Sequence, residues 1–216
     1  CAAEAIDFDQ EEEQEEIRVG SIILSPGFSE FQAERKHELH YRPSSNVVTS
    51  IEFERILSAS GPYGGHVLRP SDQQEPKKVA FLQCVGSRDI SAGNEYCSAV
   101  CCMYAIKEAI IAKEHDASGE LEATIFYMDM RTYGKDFEKY LNRAKELGIR
   151  FVRCRVHSVD RTPDENLFIR YSDEQGKLQT EEFDLTVLST GLEPSAEFKE
   201  LADNIDVALN DEGFVC

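Results

Sequence analysis

Basic charge is what this sequence has least of. Only 23 Lys and Arg stand against 41 Asp and Glu, a formal net charge of −18 over 216 residues. A nucleic-acid-binding surface needs a basic face to displace counterions, so the balance argues for no nucleic-acid partner. Much of the excess lies in Gln10-Glu11-Glu12-Glu13-Gln14-Glu15-Glu16, which reads as a solvated loop. Long apolar runs are also missing. None approaches the ~18 residues that a membrane span needs, and no signal-peptide pattern is recognisable. No Ser-His-Asp or Cys-His order can be assembled with any specificity, and no carboxylate arrangement supports an acid–base pair. The five histidines show no partnered spacing apart from His37 and His40, so surface or cap roles are the default.

A further absence falls at an informative place. The strand-like run Lys78-Val79-Ala80-Phe81-Leu82-Gln83 is followed, after a turn, by the helix-like run from Met103 to Lys113. In a dinucleotide fold that first turn carries G-x-G-x-x-G and holds a pyrophosphate. This turn carries Cys84, Cys97, Cys101 and Cys102 instead, spaced C-x12-C-x3-C-C within nineteen residues.

The cysteines total seven, an odd number in a chain otherwise composed like a cytosolic domain, so a reducing, cytoplasmic compartment is expected. Three readings of the group compete. The thiols could be small buried hydrophobes, but two of the four are adjacent and all are crowded together. They could form a disulfide or thiol-redox site, but neighbouring cysteines in a helix bridge only with strain. The third reading is a metal site. Cys97 and Cys101 stand four apart and would share one side of a helical turn, with Cys102 about a quarter-turn away and Cys84 arriving from the strand end. Helix-start amides, with Arg88 and Lys107 nearby, would offset thiolate charge. Structural zinc favours paired C-x2-C knuckles, so adjacent Cys101 and Cys102 suit one tetrahedral ion poorly. A [4Fe–4S] cluster on all four thiolates is the better fit. Cys1 begins a stretch like the tail of a bacterial ferredoxin motif, and would ligate a separate cluster in a longer chain. Cys154 is expected to be a structural thiol within a strand, and Cys216 carries no reading.

Around this group the pattern is α/β: strands Val79–Gln83, Ala123–Asp129 and Arg150–Arg155 alternate with helices Val100–Glu114 and Lys135–Leu147, the latter stopped by Gly148. Such alternation predicts a Rossmann-like parallel sheet with right-handed crossovers. An antiparallel meander follows, over Val156–Val159, Asn166–Tyr171 and Leu178–Phe183, before a last strand, Leu185–Ser189. Ile17–Ser25, closed by Pro26-Gly27, repeats the design of Phe183–Thr190, closed by Gly191. Both read as buried strands ending at a sharp turn. A short helix is expected over Ser50–Leu57, with Ser50 as N-cap and no full capping box. The expected organisation is 1–30 as part of an FAD-type domain, 31–77 as a connector, 78–192 as the Rossmann-like cluster domain, and 193–216 as a return towards the FAD-type domain. With no initial Met and an abrupt end at Cys216, the sequence is expected to be an excised piece of something longer.

Several motifs resemble the A-type subunit of heterodisulfide reductase, its flavin and iron–sulfur subunit, and relatives in anaerobic archaea and sulfate reducers. They are Phe53-Glu54-Arg55-Ile56-Leu57-Ser58-Ala59-Ser60-Gly61-Pro62, Gln83-Cys84-Val85-Gly86-Ser87-Arg88-Asp89, Val100-Cys101-Cys102-Met103-Tyr104-Ala105 and Leu188-Ser189-Thr190-Gly191-Leu192. The resemblance implies a thioredoxin-reductase-like oxidoreductase flavoprotein with FAD, and a [4Fe–4S] cluster on Cys84, Cys97, Cys101 and Cys102. It implies assembly with other heterodisulfide reductase-type subunits and electron-donor proteins, in some members with flavin-based bifurcation. It also places Gly27 and Gly191 on the flavin side of an intact subunit. The chain departs from the family pattern in lacking the FAD fingerprint and the ferredoxin modules, and in having Ser25-Pro26-Gly27 where Ala-Thr-Gly is usual. Two alternatives remain open: a nicotinamide-dependent flavin disulfide reductase domain, and a zinc-stabilised or thiol-switch docking module.

Overall fold

The central strand is apolar on both faces because both faces are covered. In a computed structural model describing residues 5–216, β1 is Ser29–Glu30, β2 is Val47–Thr49, α1 is Ser50–Leu57 and β3 is Lys78–Val85. Then come α2 (Cys101–His115), β4 (Glu122–Tyr127), α3 (Phe137–Glu146) and β5 (Arg150–Arg153). The chain continues through β6 (Val156–Arg161), β7 (Leu167–Ser172), β8 (Leu178–Phe183), β9 (Leu185–Thr190), β10 (Leu192–Glu193) and α4 (Ala196–Asn204).

Strands β2, β9, β3, β4 and β5 form, in that order, a parallel sheet. The two-residue period of β3 sends Val79 and Phe81 to one face, Ala80 and Leu82 to the other. On the first face lie Phe53 and Ile56 of α1, Ile106 and Ala109 of α2, and Leu141 and Ala144 of α3. On the second, Val159, Leu167, Ile169 and Phe183 of the antiparallel β6–β7–β8 meander cover the sheet, together with Phe31 and Leu39. The result is three layers: helices, parallel sheet, meander. Phe81 packs edge-on against Phe53 at 5.6 Å, and Phe126 against Tyr171 at 5.1 Å. Each fully buried ring contributes about 1.5–3 kcal/mol by removal from water.

The expected Rossmann-like α/β alternation, the meander and the stop at Gly148 (φ +76°) are all present. Other expectations need correction. Residues 31–77 are not only a connector: β2 pairs with β9 at the sheet edge, and α1 packs beside α2 on the helical face. The N-cap of α1 is Thr49, not Ser50. Its side chain accepts from Glu52 N while the Glu52 carboxylate accepts from Thr49 N, so the capping box is complete. The run Ile17–Ser25 is not a strand. Ile22 and Ile23 are 65% and 92% exposed, because nothing in the described chain offers this segment a ladder or an apolar face. Residues 193–216 begin at the last residue of β10, which pairs with β1, and carry α4, capped by Ser195. Cys1, with its ferredoxin-like reading, lies outside the described residues. No described helix is long and apolar enough to cross a membrane.

Candidate metal centre

Strand β3 does not end as an ordinary strand. Its register against β9 slips between Leu82 and Val85, so one extra residue bulges out of the ladder. Cys84 sits in that bulge with φ +61°, a left-handed conformation that costs a non-glycine residue about 1–3 kcal/mol. Arg88 (φ +54°) and Ala99 (φ +61°) are also left-handed. Three such residues within one loop mark a backbone held in place by its surroundings.

Those surroundings are specific. Gly86 (φ +69°) lies against the Phe31 ring, so closely that a Cβ there would fall 2.0 Å from Phe31 Cγ. Ser87 Oγ accepts from Ser98 N at 3.0 Å, and Ser98 Oγ accepts from Leu192 N at 2.9 Å. Asn94 donates to Gly86 O at 2.9 Å and to Glu193 Oε1 at 2.7 Å, while Tyr96 Oη donates to Leu192 O at 2.9 Å. Asp89 is buried and accepts from Ser91 Oγ (2.6 Å), Lys36 Nζ (2.9 Å) and Arg155 (2.9 Å). Burial opposes its ionisation, but these partners hold its carboxyl far below the usual range.

Held in this way, the loop brings all four thiols to one narrow cleft of about 10 Å³, lined also by Arg88, Asp129 and Arg131. Cys101 and Cys102 open α2, whose first turn has no side-chain cap, leaving its amides directed at the cleft end of the helix. Cys101 Sγ donates to Thr190 O at 3.5 Å, and Cys102 Sγ accepts from Arg131 N at 3.4 Å. All four are free thiols; Cys101 and Cys102 are buried, Cys84 and Cys97 half-buried. Burial, then the neighbouring thiols, pushes Cys84 up to about 11 and Cys101 to about 12. Arg88 and Arg131 both pair with Asp129, whose carboxyl they hold below its usual value against the effect of burial.

The convergence differs from its expected geometry. Cys97 precedes α2, separated from it by the left-handed Ala99, so the helical i,i+4 spacing with Cys101 does not operate. Lys107 does not line the cleft, and Arg131 takes the place expected for it. Sequence reasoning missed Asp129, Arg131, Asn94 and Ser98. A signal for the first two was available: a charged Asp-x-Arg immediately after a buried strand whose end faces the thiol loop. Cys154 is half-buried near the end of β5, outside the cleft.

Gly27 (φ +70°) lies in the exposed N-terminal stretch with nothing within 4 Å of its Cβ direction. Gly191 is tied to the thiol loop: its N donates to Val85 O at 2.8 Å, and a Cβ would meet Gly86 O at 2.9 Å. With that direction closed and no glycine fingerprint in the chain, the residues present do not form an FAD site by themselves.

Four thiol donors meeting at one cleft are the donor set that an iron–sulfur cluster takes. Among the described residues no group of three or more His, Cys, Asp or Glu side chains is drawn together tightly enough to hold a metal ion as they stand. A zinc site would draw its thiolates to about 2.3 Å from one point.

The molecule is thus an α/β protein of Rossmann-like strand order whose first strand-to-helix turn carries a four-thiol cleft. No family model matches the chain. It is 43% identical over 217 residues to the A-type iron-sulfur subunit of the CoB–CoM heterodisulfide reductase of Methanocaldococcus jannaschii, covering 99% of this chain and 33% of that protein. It is 42% identical over 217 residues to the A-type subunit of the H(2):CoB-CoM heterodisulfide,ferredoxin reductase of Methanothermobacter marburgensis, covering 100% and 33%. The chain belongs to the family of A-type heterodisulfide reductase subunits, and it spans about a third of the length of the curated relatives it matches. Among solved structures, T. acidophilum thioredoxin reductase overlays with a TM-score of 0.48 at 14% identity, covering 88% of this chain and 49% of that one.

Proposed function

We propose that this chain is an electron-transfer part of an oxidoreductase subunit, in which Cys84, Cys97, Cys101 and Cys102 hold a [4Fe–4S] cluster. The observation that carries the reading is the single cleft shared by four thiols from the β3 bulge, the loop and the start of α2. When bound, such a group accepts and donates one electron at a time. The chain's own residues do the rest. The Cys84 bulge and left-handed Ala99 aim thiols inward, Val100 lines the cleft beside them, and Arg88, Arg131 and the uncapped amides of α2 offset thiolate charge. Electrons would pass between this site, FAD in the intact subunit, and other heterodisulfide reductase-type subunits or electron-donor proteins. Gly27 and Gly191 would lie towards that flavin only in the presence of the rest of the subunit.

The test is anaerobic reconstitution of the chain followed by metal and sulfide analysis. About four irons and four labile sulfides per chain, with an EPR signal on reduction, are expected. Cys101→Ser combined with Cys102→Ser should abolish the signal, while Cys154→Ser should leave it intact. Zinc uptake in place of iron, or equal sensitivity to loss of Cys154, would overturn the proposal.

A further inference from the structure

A second feature lies on α2 away from the thiols. Leu57 and Ala59, in and just beyond α1, with Tyr104 and Ile111 of α2, wall a groove of about 580 Å³ between the two helices. Glu108 lines it. This side chain is only 6% exposed, and its Oε2 has no hydrogen-bond partner. Almost every ionisable group buried so deeply in a protein is paired, because an unpaired charge there is costly. The remaining titratable groups around it are Glu54 from α1, Glu30 from β1, and Tyr104, Lys107, Glu114 and His115 from α2. Three of these are engaged elsewhere, Glu114 with Arg143, His115 with Gly65 O at 2.8 Å, and Glu30 as acceptor from Thr190 Oγ1. Burial, then the carboxylates of Glu54 and Glu30, pushes Glu108 up to about 9.

We infer that this groove is a docking site for an arginine side chain of a partner protein, received by Glu108 with Glu54 at the rim. Charge narrows the choice of guest first. Glu54, Glu108 and Glu114 line one groove of a chain with net charge −18, and against Lys107 this excess of carboxyl groups repels anions and favours a cation. Shape selects among cations. A guanidinium is planar and weakly hydrated, and carries five donors for a carboxylate otherwise without a partner. Its three-methylene stem covers Leu57, Ala59 and Ile111, and its plane can rest on the Tyr104 ring. A lysine ammonium is more strongly hydrated and loses more on entering. The site is independent of the thiol cleft, so its failure would leave the electron-transfer reading untouched.

The probe is the peptide acetyl-Leu-Arg-Leu-amide, compared with the same peptide carrying citrulline, a neutral isostere of arginine. Saturable amide shifts in NMR spectra are expected at Ala59 and Ile111. The citrulline peptide should bind at least about ten-fold more weakly, since it lacks the charge-assisted pair. Glu108→Gln should bring the arginine peptide down to the citrulline level. Because the pair requires an ionised carboxyl, binding at pH 7 should release close to one proton, read by calorimetry in buffers of different ionisation enthalpy. Equal binding of the two peptides would overturn the inference, as would shifts scattered over the acidic surface, or no proton release. So would the same shifts on raising protein concentration alone, which would assign the groove to a second copy. The citrulline comparison uses the unaltered chain, so it decides the matter even if the Glu108 variant misfolds.

Discussion

Gly86→Ala isolates the constraint that shapes the thiol loop. Two costs add. Gly86 has φ +69°, and an L-residue forced into that conformation loses about 1–2 kcal/mol. Its new Cβ would also fall 2.0 Å from Cγ of Phe31, a ring 1% exposed beneath the sheet. Displacing a ring in a close-packed core costs about 1–3 kcal/mol more. The sum is about 2–5 kcal/mol, enough to lower the urea midpoint well outside error. Gly93→Ala is the control in the same loop: φ is +80° but nothing lies within 4 Å, so only the conformational part, about 1–2 kcal/mol, applies. Urea denaturation followed by far-UV circular dichroism, under reducing conditions, measures both. A double-mutant cycle with Phe31→Ala should return a coupling of about 1–3 kcal/mol, because the shortened side chain makes room. If Gly86→Ala costs no more than Gly93→Ala, or shows no coupling to Phe31, the account of the loop is wrong.

Two further outcomes follow from side chains on the helical face. Glu108 is held protonated up to about pH 9 in the fold, against an ordinary value of 4.5. The folded state therefore binds the extra proton between those limits, and stability falls as pH rises through them by up to about 1.4 kcal/mol per unit. Glu108→Gln should remove that slope and gain on the parent chain from pH 5 to 8; parallel stability curves would refute the assignment. Thr49→Ala removes the cap of α1 and should cost about 1 kcal/mol in the same denaturation assay, and a neutral result would show that the capping box does not stabilise this helix.

The strands and helices from 78 to 192 were legible because their periods are long enough to read. Val79–Leu82 is a continuous apolar run, and α2 and α3 extend for several turns. β2 was not legible: three residues, Val47–Thr49, carry no period, and only pairing with Thr186–Leu188 makes them a strand. Ile17–Ser25 failed the opposite way. It has the right residues, but strand formation needs a partner that the described chain does not supply. Sequence brought the four cysteines to one turn, yet assigned their meeting to helical spacing. The structure achieves it with a bulge at Cys84 and a left-handed Ala99, conformations that no residue type at those positions announces.

The anchoring of that loop sets how its chemistry will be read. Asp89 is clamped to Lys36 and Arg155, Asn94 to Glu193, Tyr96 to Leu192, and Ser98 to both Ser87 and Leu192. A small zinc domain is assembled by its metal, so the affinity measured there contains the free energy of folding. Here the contacts that anchor the loop are made by side chains other than the four thiols. Whatever occupies the thiol cleft should bind with an affinity that reports its own bonds and the protons it displaces, and removing it should leave the fold, by circular dichroism, in place.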